Sequence, residues 1–198
     1  MPVNISRRDI LRTLAVGASA GSVLRIIPIQ AAEHVHRMVR EEHAQSPAGG
    51  YTPKFFSPHS YQTLCALCQA IIPPDEKTGG ALEAGAPGFI DLLTSENQEY
   101  QLTLGGGLAW LDSTCSDRYG KAFLECAAAQ QKEMLDQIAY RANAAKDPAL
   151  GPGVKFFAFL RDLTTDGFFT SEIGIKYLEY IGNDYLAAFP GCPPLPES

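Results

Sequence analysis

From Ser57 to Ile72 the apolar side chains Tyr61, Leu64, Cys65, Cys68, Ile71 and Ile72 recur at i, i+3, i+4, i+7, i+10 and i+11. That is the period of a helix with one buried face. Ser57-Pro58 supplies its start, serine as N-cap and proline in the first turn, and Pro73-Pro74 stops it. A glycine-rich loop follows, and Pro87 opens a short helix carrying Phe89, Ile90, Leu92 and Leu93. The spacing predicts a third helix over about 97–114. The triplet Gly105-Gly106-Gly107 in its middle costs on the order of 1 kcal/mol per glycine relative to alanine. It is read as a break or a place where another backbone packs closely. Residues 117–143 favour a further helix, with Phe123, Ala127, Met134, Leu135 and Ile138 on one side. Residues 148–153 read as a loop. Phe156, Phe159, Leu160 and Leu163 repeat the helical period, Thr165-Asp166-Gly167 reads as a turn, and Ser171-Glu172 caps a last helix with Ile173, Tyr177, Tyr180 and Ile181 inward. Strand-type alternation is scarce and no repeat is visible. The expected fold is all-α: one domain of five to six helices over residues 53–198.

The N-terminal third has a different pattern. Asn4-Ile5-Ser6-Arg7-Arg8-Asp9-Ile10-Leu11-Arg12 has the Ser-Arg-Arg-x-apolar-Leu-basic form of a twin-arginine export signal, with Ser6, Arg7, Arg8 and Leu11 as its carriers. Weakly apolar residues rich in Ala and Gly follow, and Ile29-Gln30-Ala31 offers a small-residue cleavage site. A transmembrane anchor needs about 20 strongly apolar residues, whereas Gly17, Ser19, Gly21, Ser22 and Arg25 dilute this stretch. Residues 1–31 are therefore read as a signal peptide directing the protein to the periplasm, in contact with a membrane only through an assembled complex. Residues 32–52 are read as a flexible tether, and His34, His36 and His43 within it as solvated. The twin-arginine route moves folded proteins, so its passengers carry a cofactor inserted beforehand or are bound to a partner that does.

Charge and chemistry narrow the reading. The 198 residues carry a formal charge of −6. Without residues 1–31, which hold Arg7, Arg8, Arg12, Arg25 and Asp9, 12 basic and 21 acidic residues remain, a charge of −9. An acidic chain without a Lys/Arg run argues against nucleic acid as a partner. Five cysteines, Cys65, Cys68, Cys115, Cys126 and Cys192, are candidates for disulfides in an oxidising compartment. Cys65-Ala66-Leu67-Cys68 has the spacing of a redox pair or half a metal site, but lacks the preceding strand of a thioredoxin and a second close pair for zinc or a cluster. Both its cysteines fall on the apolar helix face. They read as structural, bridged to Cys115 or Cys126 or packed as free thiols. Cys192 lies in a proline-rich tail, where a bridge within the chain or to a partner is open. Asp75, Glu76, Glu83 and Asp91 cluster around the Pro/Gly loop without the spacing of a calcium loop, and read as capping and loop charges. No nucleophile elbow, dinucleotide fingerprint or phosphate loop occurs.

Several ordered pieces resemble the small third subunit of gluconate 2-dehydrogenase and its relatives. They are Leu64-Cys65-Ala66-Leu67-Cys68-Gln69-Ala70-Ile71-Ile72-Pro73-Pro74-Asp75-Glu76, then Gly79-Gly80-Ala81-Leu82-Glu83-Ala84-Gly85-Ala86-Pro87-Gly88-Phe89-Ile90-Asp91. Further along come Gly107-Leu108-Ala109-Trp110-Leu111-Asp112, Gly120-Lys121-Ala122-Phe123, and Phe156-Phe157-Ala158-Phe159-Leu160-Arg161 through Thr170-Ser171-Glu172-Ile173-Gly174. The resemblance spans roughly residues 55–195 together with the leader. It implies a non-catalytic subunit without cofactor, metal or catalytic residues of its own. It also implies a large flavoprotein partner of the glucose–methanol–choline type carrying FAD, and in some complexes a c-type cytochrome carrying haem c. The small subunit would bring the export signal, and the flavoprotein would be exported with it. Phe55, Phe56, Phe168, Phe169, Tyr185 and Phe189 are candidate interface anchors, since aromatic residues are enriched at contacts, while Trp110 reads as core. The rival readings are a stand-alone periplasmic oxidoreductase binding a metal or cofactor through its cysteines, and a free-standing binding domain.

Overall fold

A computed structural model describes residues 27–45, 51–76 and 78–180. The expected export residues Ser6, Arg7, Arg8 and Leu11, and the tail residues Tyr185, Phe189 and Cys192, lie outside the described residues. The all-α expectation holds: among the described residues there is no strand. The helices are α1 (Ile29–Gln45), α2 (Pro58–Ile71), α3 (Ala86–Ser95), α4 (Gly106–Tyr119), α5 (Ala128–Ile138), α6 (Arg141–Lys146), α7 (Gly151–Phe169) and α8 (Glu172–Tyr177). None of the described helices is long and apolar enough to cross a membrane.

Helix α7 is the axis of the fold. It packs against α2, α3, α4, α5, α6 and α8, and buries Phe156, Phe157, Leu160, Leu163 and Phe168. The core continues through Leu64 and Leu67 of α2, Phe89 and Ile90 of α3, Leu104, Leu108 and Leu111 at α4, and Met134 and Ile138 of α5. Helix α2 starts as its sequence predicts: Pro58 opens it and the Ser57 hydroxyl accepts from Ser60 N.

Three expectations are corrected. The tether is not one over its first half, because Ile29–Gln45 is a helix lying on α3. Ala32, Val35, His36 and Val39 recur at i, i+3, i+4 and i+7 and are buried, while charged residues on the other positions give the segment its polar look. The expected boundary at residue 31 therefore falls inside α1, and Ile27 and Ala31 are buried too. Second, the expected turn at Thr165-Asp166-Gly167 is the last part of α7. A Cβ on Gly167 would lie 3.1 Å from Phe89 and 3.2 Å from Ala86, so this glycine lets α7 lie close to α3. Third, Tyr177 and Tyr180, expected inward, are exposed, because α8 ends after six residues.

The glycine triplet is a continuation rather than a break. Gln98–Tyr100 forms a first turn capped by Asn97, whose Oδ1 accepts from Glu99 N and Tyr100 N. A π-helical turn, Gln101–Gly105, then leads into α4. Gly107 faces Phe156 so closely that no Cβ would fit.

Candidate functional site

Among the described residues the most densely bonded polar group is Asp91. Its carboxylate is fully buried on α3 and accepts from the Tyr51 hydroxyl at 2.8 Å, Lys54 N at 2.6 Å, Phe55 N at 3.1 Å and Phe56 N at 3.0 Å. Successive backbone donors converge on one carboxylate, which fixes residues 51–56 against the helix. Burial, then the neighbouring Asp91 charge, pushes the Tyr51 phenol well above its ordinary range, so it stays a donor. Asp91 therefore does not belong to a solvated acidic cluster. The acids Asp75 and Glu83 are loop charges that bind loop backbone and cap no helix: Asp75 Oδ1 accepts from Thr78 N at 2.7 Å and Glu83 Oε2 from Gly80 N at 2.8 Å. The sequence signal for Asp91 is a lone carboxylate inside the apolar run Gly88-Phe89-Ile90-Asp91-Leu92-Leu93.

The clasp sets the aromatic pair that follows it. Phe56 turns inward and is buried, so it is a core residue rather than an interface anchor. Phe55 points outward, edge-on to Phe56 at 5.0 Å between ring centroids, and lies over Gly105 of the π-helical turn. Leu102, one turn earlier, is 72 % exposed, and Gly106 has open space where a Cβ would be. Phe55, Leu102 and the bare backbone at Gly106 thus leave apolar groups exposed on and beside the π-helical turn. Leu102 is absent from the expected anchors. Phe168 is buried and is likewise corrected to core, whereas Phe169 is half-buried beneath Tyr177. Trp110 is half-buried and packs over Gly153.

A cleft of about 290 Å³ opens between α1 and α8, with His36, Arg40, His43, Glu83 and Glu172 on its walls. Arg40 and Glu172 pair across it at 3.2 Å. His36 is buried, stacks on Phe89 at 4.8 Å and shares a hydrogen bond with the Thr170 hydroxyl at 3.0 Å. Burial first, and then the Arg40 charge, lowers its pKa to about 4, so the ring is neutral at physiological pH. It is a packed core imidazole, which overturns its reading as a solvated residue.

The described cysteines are thiols. Cys68 is fully buried, 3.5 Å from the Thr164 hydroxyl, and burial pushes it up to about 12. Cys65 is half-buried and hydrogen-bonds with Tyr61. Neither is joined to Cys115 or Cys126. Those two lie against each other instead, on α4 and at the end of a 3₁₀ turn, Phe123–Glu125. Among the described residues no three His, Cys, Asp or Glu side chains come together as a metal centre.

A family model described as gluconate 2-dehydrogenase subunit 3 matches residues 58–191. That range is about two thirds of the chain and holds α2 to α8, the Asp91 carboxylate and the Leu102 surface. No curated protein matches the chain, and no solved structure matches it.

Proposed function

The chain belongs to the gluconate 2-dehydrogenase subunit 3 family, and from that premise we propose that it is the non-catalytic small subunit of a periplasmic, FAD-dependent dehydrogenase complex. The complex would act on CH–OH groups of gluconate or another sugar. FAD would reside on a large glucose–methanol–choline-type flavoprotein, with a c-type cytochrome carrying haem c as a further subunit. The role of this chain is export, maturation and assembly of the flavoprotein.

The observation that carries the reading is the match over residues 58–191. Two features support its finer parts. The Ser6-Arg7-Arg8-x-x-Leu11 pattern is what a folded-protein export route requires. Phe55 sits on backbone held by a buried carboxylate and Leu102 is exposed on the π-helical turn, and preorganised apolar anchors favour association.

The test is the double substitution Arg7→Lys with Arg8→Lys in a tagged chain expressed with its native neighbours. Both this chain and a co-purifying flavoprotein of about 60 kDa, the size a two-domain oxidoreductase of this class would have, should be held in the cytoplasm. Normal periplasmic dehydrogenase activity with this chain retained inside overturns the export role. Absence of any flavin-bearing partner from the purified wild-type complex overturns the assembly role.

A further inference from the structure

We propose that Cys115 and Cys126 are a disulfide-forming pair, the site at which an oxidant of the thiol–disulfide class acts on this chain, and that Cys65 and Cys68 take no part. Cys115 lies on the buried face of α4 and Cys126 at the C-cap of the 3₁₀ turn; both belong to the core. Their thiols are near enough for Cys126 to act directly on Cys115. Among the described residues Cys126 Sγ also approaches the Lys121 carbonyl at 3.7 Å.

What makes the pair distinctive is that the chain between them is already fixed. Gly120, in the left-handed region at φ 71°, reverses the chain after α4. Phe123 N donates to Asp112 Oδ1 at 3.0 Å, and the Phe123 carbonyl accepts from Gln131 Nε2 at 2.9 Å and from Cys126 N at 3.2 Å. Phe123 itself is buried. Closing the bridge therefore orders nothing that is not ordered already, and little of the closure entropy remains to be met. The cysteines of the CxxC lack this arrangement, since each has a hydroxyl partner, Tyr61 or Thr164.

The chemistry balances as two exchanges. Cys126, the less buried of the two, attacks one sulfur of the oxidant's disulfide as its thiolate, and the other sulfur leaves and takes a proton. Cys115 then gives up its proton and attacks Cys126 Sγ, expelling the second sulfur as a thiol. Two cysteines lose two electrons and two protons, and the oxidant's disulfide becomes two thiols. Burial, and then Cys126 itself, pushes the Cys115 thiol up to about 12. The second exchange should accordingly accelerate as pH rises.

The experiment uses the full chain and needs no assumption about export. The purified protein is incubated with oxidised glutathione near pH 8, denatured, alkylated in denaturant and digested with trypsin, which cuts at Arg118 and Lys121 between the two cysteines. The expected product is a joined pair of peptides holding Cys115 and Cys126, with Cys65 and Cys68 alkylated. The oxidised protein should melt several degrees higher than the reduced one, a gain missing from Cys126→Ser. Full alkylation of both cysteines after oxidation overturns the proposal. So does a persistent glutathione adduct on Cys126, or a bridge from either cysteine to Cys65, Cys68 or Cys192. The wild-type peptide map decides the matter even if the serine variant fails to fold.

Discussion

Asp91 is where single-residue effects should be largest, because one buried carboxylate satisfies three backbone N–H groups and a phenol. Asn at this position keeps the shape, loses the charge and turns an NH₂ group toward donors. Charge-assisted hydrogen bonds contribute roughly 1.5–3 kcal/mol each, and an unsatisfied buried donor costs as much again. Asp91→Asn should therefore destabilise the domain by about 3 kcal/mol or more in urea unfolding, with amide exchange fastest at residues 54–56. Asp166 works in the opposite sense. Burial, and then Asp162 one turn away, raise its carboxyl from 3.8 to about 6, so its ionisation opposes folding. The protonated form is favoured in the folded state. The stabilisation is complete below 3.8 and is lost as pH rises through about 6. Asp166→Asn should stabilise the protein by ~1–2 kcal/mol at neutral pH, after discounting for its partial exposure, and the gain should disappear near pH 4. His36 shapes the same window from the other side: with its pKa lowered from 6.5 to about 4, the wild type loses stability as pH falls through that interval.

At the scale of elements, the glycines around α4 divide into two kinds that the sequence does not distinguish. Gly153 on α7 meets Trp110, and a Cβ there would also lie 2.9 Å from Ile138. Gly106 has helical dihedrals and nothing near it. Gly153→Ala should cost about 1–3 kcal/mol through overpacking. Gly106→Ala should add up to about 1 kcal/mol through helix propensity alone, and thermal melts of the two variants should move in opposite directions. The contrast marks what could be read beforehand. The helical period and caps of α2 were legible because its stripe is long and its start is a serine followed by proline. The extension of α7 through Thr165-Asp166-Gly167 was not, since propensity marks a turn where packing against Phe89 and Ala86 asks only for the absence of a side chain. The surface at Leu102 was hidden similarly, because a π-helical turn shifts the facing of the residues around it, and a period of 3.6 cannot register that shift. Asp91 was visible as an acid and invisible as a clasp, because its partners, three backbone N–H groups and a phenol, belong to a segment 35 to 40 residues earlier.

For the whole molecule, the point of greatest consequence is where the domain begins. Small residues at Ile29-Gln30-Ala31 suggest a cut before Ala32, yet Ala32 is fully buried and its N–H, like that of Ala31, is held by the Pro28 carbonyl. A cut there would place a new ammonium group at a helix N-terminus, where the dipole opposes positive charge, and against the packed face of α3. It would also remove Ile27, whose burial contributes roughly 1.5–3 kcal/mol. We therefore expect a chain starting at Ala32 to be less stable than one starting at Ile27 by about 2–3 kcal/mol. Under the proposed export role, no mature N-terminus should be found at Ala32: processing falls before Ile27 or does not occur. Intact mass and N-terminal sequencing of the chain recovered from a periplasmic extract check the second statement, and paired urea titrations of the two chains check the first. If a mature protein beginning at Ala32 were isolated with undiminished stability, α1 would be an ornament of the precursor and not a wall of the domain. If instead Ile27 is retained, the helix that carries His36 beneath the Arg40–Glu172 pair is a wall of the mature domain.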